Sequence, residues 1–220
     1  LAEFYQLDVE MSFVTQEDVH NTMAPVVKGV FEEFADFTGE KRRVEWLPNL
    51  TYKEAMAKYG SDKPDLRNPL VICDVTEVFS RADVEFKAFK GVIEKGGVVR
   101  AIRAPKVADQ PRSFFDKLNS WAQSQGAPGL GYILFKDGAG QGPIAKFVPE
   151  SAQAALRAAA SLEDGDAVFF VCDMEEKAAK LAGKARDKIC ADMDIREKGV
   201  YKFCWIVDFP MFEWSEEEKK

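Results

Sequence analysis

The chain has 220 residues, 46% hydrophobic and 12% aromatic, enough for one large packed domain or two modest ones. Its net charge of −7 excludes a chain that is basic throughout and wraps nucleic acid by charge alone, while leaving room for a local basic patch. No apolar run is long enough to span a bilayer, no signal-peptide pattern opens the chain, and Cys73, Cys172, Cys190 and Cys204 lack C-x-x-C spacing, so buried free thiols in a reducing, cytoplasmic compartment are expected and a zinc site is not supported.

In chain order, QLDVEMSFV (6–14) alternates, with Gln6, Asp8 and Glu10 on one side and Leu7, Val9 and Met11 on the other. A period of two predicts a strand with one polar face and one core face. The solvated face of an edge strand would show the same pattern. Thr15 and Asp18 then form a capping pair, and Val19, Met23, Val26, Val27, Val30, Phe31 and Phe34 recur at three and four. This predicts an amphipathic helix to about Thr38–Gly39, with Pro25 as the point of any kink. His20 lies in that helix with no second His and no nearby Cys, which suits a surface or capping role better than catalysis. A short strand is predicted at 41–47 and a helix at 52–59, stopped by Gly60 in a left-handed conformation. The following segment, YGSDKPDLR (59–67), reads as a helix end and a rigid turn. An ion pair Lys63/Asp65 or Asp62/Arg67 in that turn would contribute at most about 1 kcal/mol in water.

From residue 68 to 173 short strands and helices alternate, predicting a compact α+β insert. Strands are expected at 97–104, 131–135 and 143–148, and helices at 111–125 and 149–160. Gly138, Gly140 and Gly142 form a hairpin tip between two strands. No Lys-Ser/Thr follows them and no helix starts there, so they are not a phosphate cradle. AVFFVC (167–172) is continuously apolar and reads as a buried central strand. A helix with Ala178, Ala179, Leu181, Ala182, Ala185 and Ile189 on one face is predicted over 174–193. A strand is predicted over 202–212, ended by Pro210, and a charged loop over 213–220. The chain opens without Met and inside a predicted strand, so it is expected to be an internal piece of a longer protein.

Several passages together resemble bacterial-type aspartyl-tRNA synthetases of class II. EFYQLDVEMSFV (3–14) is similar to the second strand of that class's motif 2, and YGSDKPDLR to a signature near the family's extra domain. GAPGLGYI (126–133) and GPIAKF (142–147) resemble that extra domain, called GAD. GDAVFFVCD (165–173) and CWIVDFPMFEW (204–214) resemble the return to the catalytic domain. Pro128 and Gly131 depart from the commoner Lys and Ala of the family's GAKGLA segment.

The resemblance implies an α+β chain: part of an antiparallel-sheet catalytic domain (1–70 and 176–220) interrupted by a smaller GAD insert (71–175). It implies aspartate–tRNA ligase chemistry, in which aspartate attacks the α-phosphorus of ATP and the acyl group then passes to tRNA, with Mg2+ and arginines on the phosphates. On the family's pattern Gln6 and Asp8 line the aspartate pocket near the ammonium group, and Glu10 contacts substrate or supports the pocket from beside it. Asp208 reads as structural. Arg100, Arg103 and Arg112, with Lys106 and Lys117, would touch a tRNA acceptor stem or form a solvated face. The implied partners are tRNA(Asp), tRNA(Asn) as an open alternative, aspartate, ATP and a second copy in a homodimer, with no membrane. In the family, motif 1, the motif 2 arginine and motif 3 belong outside this sequence, so the piece alone is expected neither to make adenylate nor to charge tRNA. One rival reading is a non-catalytic RNA-binding or adaptor module, since a related insert occurs in tRNA-dependent amidotransferases. An unrelated metabolic enzyme would need a nucleophile–base pair or a metal cluster, and a lone His with scattered Cys supplies neither.

Overall fold

The computed structural model describes residues 3–34, 39 and 42–212. Its elements are α1 (Gln16–Glu33), β1 (Arg43–Trp46), β2 (Leu50–Thr51), α2 (Tyr52–Tyr59), β3 (Ile72–Asp74), α3 (Thr76–Ser80), α4 (Lys87–Ile93), β4 (Val98–Ala104), α5 (Arg112–Ser124), β5 (Gly131–Lys136), β6 (Ala139–Gln141), α6 (Glu150–Ala159), β7 (Ala167–Asp173), α7 (Glu175–Asp192), β8 (Val200–Phe203) and β9 (Ile206–Val207). The chain divides into two compact units, 1–48 with 198–205, and 49–197 with 206–220.

In the smaller unit, α1 begins as its sequence requires. Asp18 N donates to Thr15 Oγ1 at 3.3 Å and Thr15 N donates to Asp18 Oδ2 at 2.8 Å, so two otherwise unsatisfied donors of the first turn are met reciprocally. Pro25 lies inside the helix, and the regular helix closes at Phe34. The expected end near Thr38 lies outside the described residues. β1 pairs in parallel with β8, Arg43 opposite Val200 and Trp46 opposite Phe203. Phe31 of α1 meets the rings of Tyr201 and Phe203 edge-on at 5.0 and 4.7 Å, and Trp46 stacks on Phe203. His20 is not a plain surface residue: its ring stacks on Trp205 at 4.6 Å, the two planes nearly parallel.

The strand expected over 6–14 is not formed; the segment makes no ladder and is exposed along its length. Alternation sorts side chains to two faces, but a strand also needs a neighbour for its backbone groups. The described residues of this chain pair no strand with it.

The larger unit is built on a five-stranded antiparallel sheet in the order β3-β4-β7-β5-β6. β7 lies at its centre and is buried on both faces. Ala167, Phe169 and Val171 join a core with Phe115 and Leu118 of α5 and Ala178, Ala182 and Ile189 of α7. Val168 and Phe170 join the opposite core with Phe79 of α3 and Leu156 of α6. That double burial is why the strand reads as an unbroken apolar run. Its neighbours, however, are β4 and β5. The reading of 165–173 as part of the return to another domain is therefore overturned, because a run of apolar residues announces burial without naming partners. α7 packs on the same sheet as β7.

The hairpin differs from expectation in two ways. Its turn is the dipeptide Asp137–Gly138, both at positive φ (+53° and +78°), which gives the primed two-residue turn that matches strand twist. The strand expected over 143–148 is instead a 3₁₀ turn, Ala145–Phe147. Leu134 faces Gln141, so the continued register would put Pro143 opposite Tyr132. Proline has no N–H to offer there, and the ladder stops. The strand expected over 202–212 breaks at Cys204–Trp205 into β8 and β9, and β9 pairs in parallel with β2, Leu50 opposite Ile206. Asp208 follows in a left-handed conformation (φ +57°), which ends the strand before Pro210.

Candidate functional site

Gln6 and Asp8 lie together: Gln6 Nε2 donates to Asp8 Oδ1 at 2.6 Å, as side chains two apart on an extended segment can. Both are exposed, as is Glu10. The three polar side chains stand on an exposed arm that pairs with no strand among the described residues. Among the described residues no group of three His, Cys, Asp or Glu side chains could hold a metal ion.

The segment 59–67 is more tightly organised than a surface turn. Gly60 closes α2 at φ +67°. A Cβ there would lie 2.6 Å from Gly183 N, and one on Gly183 would lie 2.7 Å from Gly60 O, so two glycines let α2 and α7 touch backbone to backbone. Asp65 Oδ1 then accepts from the Arg67 backbone N at 3.0 Å, and its carboxylate takes the Arg67 side chain in a two-point pair at 2.9 Å each. Arg196 approaches the same carboxylate at 3.3 Å. These hydrogen bonds, Arg67's side chain foremost, hold the Asp65 carboxyl below its ordinary range against the opposing effect of burial. The pairs expected from sequence, Lys63/Asp65 and Asp62/Arg67, are replaced by Asp65/Arg67 and Lys63/Asp62.

Sequence reasoning missed the residue that governs this segment. Arg186, on α7, is 1% exposed. It donates to the carbonyls of Leu70 (2.5 Å), Asn68 (2.8 Å) and Asp65 (3.0 Å), and its guanidinium carbon sits 4.9 Å from the centre of the Tyr59 ring. Asn68 closes the knot: its Nδ2 donates to Arg186 O at 3.3 Å and to Asp187 Oδ1 at 3.0 Å, while its Oδ1 accepts from Leu70 N at 3.0 Å. A planar fork of donors aimed at backbone carbonyls is what arginine, rather than lysine, provides. The only trace in the sequence was an arginine within an alanine-rich apolar face.

The three candidate RNA-contacting arginines occupy different settings. Arg100 is buried, paired with Asp74 across the β3–β4 register and with Glu175 at 3.2 Å. Arg103 reaches Asp166 at 2.7 Å and Glu163 at 3.3 Å. The Asp166 carboxylate, itself buried, also accepts from the backbone N–H groups of Lys106 and Glu163. Arg112 projects from the start of α5 with its side chain 88% exposed, 3.5 Å from Asp116. The first two are held in ion pairs from the interior strand β4, and the third is open to solvent.

Residues 89–182, which include β4 to β7 and the start of α7, match the family model for the GAD domain. The larger unit therefore carries a GAD domain. Along 99% of its length the chain is also 61% identical to the Aspartate–tRNA(Asp/Asn) ligase of Beijerinckia indica and 60% identical to that of Methylocella silvestris, and it spans 36% and 35% of those proteins. The protein of the same name from Rickettsia canadensis is 54% identical over 99% of the chain, which spans 36% of it. The chain is thus similar along nearly its whole length to these ligases and covers about a third of their length. It is α+β, with an antiparallel sheet, as the sequence resemblance implied.

Proposed function

We propose that this chain is the GAD-bearing segment of an aspartate–tRNA ligase, a cytoplasmic enzyme that joins aspartate to tRNA through aspartyl-adenylate. The observation that carries the reading is identity of 60% or more to enzymes of that name over nearly the whole chain. In this reading Gln6, Asp8 and Glu10 lie on a strand completed by pairing in the longer protein, and face the aspartate ammonium. A carboxylate and an amide oxygen on one side of an extended segment offer the acceptors an ammonium needs, and the Gln6–Asp8 contact keeps them adjacent. ATP and Mg2+ serve as the substrate complex, the metal neutralising phosphate charge; this chain's own part is to bind and orient the amino acid.

The proposed division gives 1–70 and the return after the insert to the catalytic domain, and the GAD insert starts near residue 71. α7 serves both, with its alanine face on the insert sheet and Arg186 on the 59–70 segment. Of the candidate tRNA contacts, Arg112 is the one whose guanidinium is open to a phosphate. The partners proposed for the longer protein are aspartate, ATP, tRNA(Asp), tRNA(Asn) as a second acceptor, and an identical subunit.

The test is aminoacylation by the full-length protein with both tRNAs, compared with pyrophosphate exchange by the 220-residue chain. Charging by the former and silence from the latter are expected; aspartate-dependent exchange by the chain alone would refute the division of labour. In the full-length enzyme Asp8→Ala should lower kcat/KM for aspartate by roughly 2 kcal/mol or more, mostly through KM. An unchanged KM would remove Asp8 from the pocket.

A further inference from the structure

Two hollows flank one segment of the GAD domain. The first, about 700 Å³, opens beside β5, where the ladder stops at Pro143. Half-buried Phe86, Phe89 and Tyr132 line it, Arg112 and Asp116 stand at its mouth, and Asn119 is held in place by Leu130 N donating to its Oδ1 at 2.9 Å. The second, about 230 Å³, lies between 125–127 and α7. Its wall carries Lys177, Lys180 and Lys184, spaced by three and four on one face of the helix and all exposed. Asp173 shares this hollow, and Lys180 is paired with Glu176 at 2.5 Å. Ala127 lines the lysine hollow and its chain neighbour Pro128 the aromatic one.

We propose that the two hollows form one track that binds an unpaired stretch of RNA, one base entering the aromatic hollow and successive phosphates lying on Arg112 and the α7 lysines. The inference deepens the tRNA reading and rests on it for the kind of nucleic acid. Aromatic rings lining a cleft offer stacking surface to any base, and a nearby row of cations follows the backbone; together they are the two parts of a single-strand site. A duplex keeps its bases stacked inward and has none to place among the rings. An apolar peptide could fill the aromatic hollow but would leave the lysines without a role.

The test uses the 220-residue chain and a short fluorescein-labelled RNA, single-stranded or annealed to its complement, with anisotropy read across a salt series. Single strands should bind at least about tenfold more tightly than the duplex. Phe86→Leu, which keeps an apolar side chain but removes the ring, should weaken single-strand binding about tenfold and leave the salt slope unchanged. Lys177→Ala with Lys184→Ala should reduce the slope of log K against log salt by about 1.4, at roughly 0.7 for each phosphate no longer neutralised. Circular dichroism checks that each variant is folded. Equal affinity for duplex, or Phe86→Leu binding like the parent, overturns the track. If the full-length protein charges tRNA while these variants leave KM for tRNA unchanged, the track is refuted and the ligase reading stands. If it charges none but the binding pattern holds, the track stands and the ligase reading falls.

Discussion

Replacing Arg186 should be the most damaging single change in the larger unit that touches no apolar core ring. Its guanidinium is almost fully buried and supplies donors to three backbone carbonyls of 65–70. Hydrogen bonds to a charged donor each contribute about 1.5–3 kcal/mol net, and each carbonyl left without a donor costs about 1–3 kcal/mol. Against that stands the cost of burying the cation, which already pulls the guanidinium's pKa down. Asp187, half-exposed at 3.2 Å, offsets only part of it. Arg186→Met keeps the length and removes every donor, so a loss of about 3–4 kcal/mol is expected. Arg186→Lys keeps the charge but not the fork, and should lose about half as much. The measurement is urea unfolding of parent and variants, with hydrogen exchange at the amides of 65–70 as the local readout. A loss below about 1 kcal/mol for Arg186→Met, with those amides still protected, would show that water or repacking replaces the arginine and that the segment is held by other means.

The other consequences are narrower. Gly60→Ala places a side chain at φ +67° against the backbone of α7, so its cost should exceed the roughly 1–2 kcal/mol of a left-handed residue alone; a thermal shift of only a degree or two would refute the close approach. Burial pushes the thiols of Cys73 and Cys172 up to about 11, so at pH 8 both should alkylate roughly a hundredfold more slowly than an ordinary thiol, as read by mass spectrometry of timed samples. Hydrogen bonds from Arg81 and then Ser151 bring the Asp83 carboxyl down to about 2, tying the loop after α3 to the start of α6. A depressed carboxylate stabilises the fold above its unfolded pKa, near 4, and that contribution disappears as pH falls toward 2. Asp83→Asn should therefore flatten melting temperature against pH in this window, and an unchanged acid limb would exclude the link.

Much of the local architecture was legible before any coordinates. The Thr15 cap, the left-handed stop at Gly60 and the three-four spacing along α7 all depend on residues within one helical turn of each other. The core burial of β7 was likewise legible, because a strand covered on both faces cannot alternate. The resemblance to aspartate–tRNA ligases was legible from long runs such as QLDVEMSFV and YGSDKPDLR, and with it the candidate residues Gln6, Asp8 and Glu10. Tertiary structure alone decided the rest: that β7 sits between β4 and β5, that Arg186 reaches back to the carbonyls of 65–70, and that Phe86, Phe89 and Tyr132 line one hollow. Each joins residues far apart in the chain, and no periodicity records which distant partner satisfies a backbone edge, a buried guanidinium or an exposed ring. The arm at 6–14 marks the boundary between the two: its alternation is written in the sequence, but whether it becomes a strand depends on a neighbour that the sequence pattern does not specify.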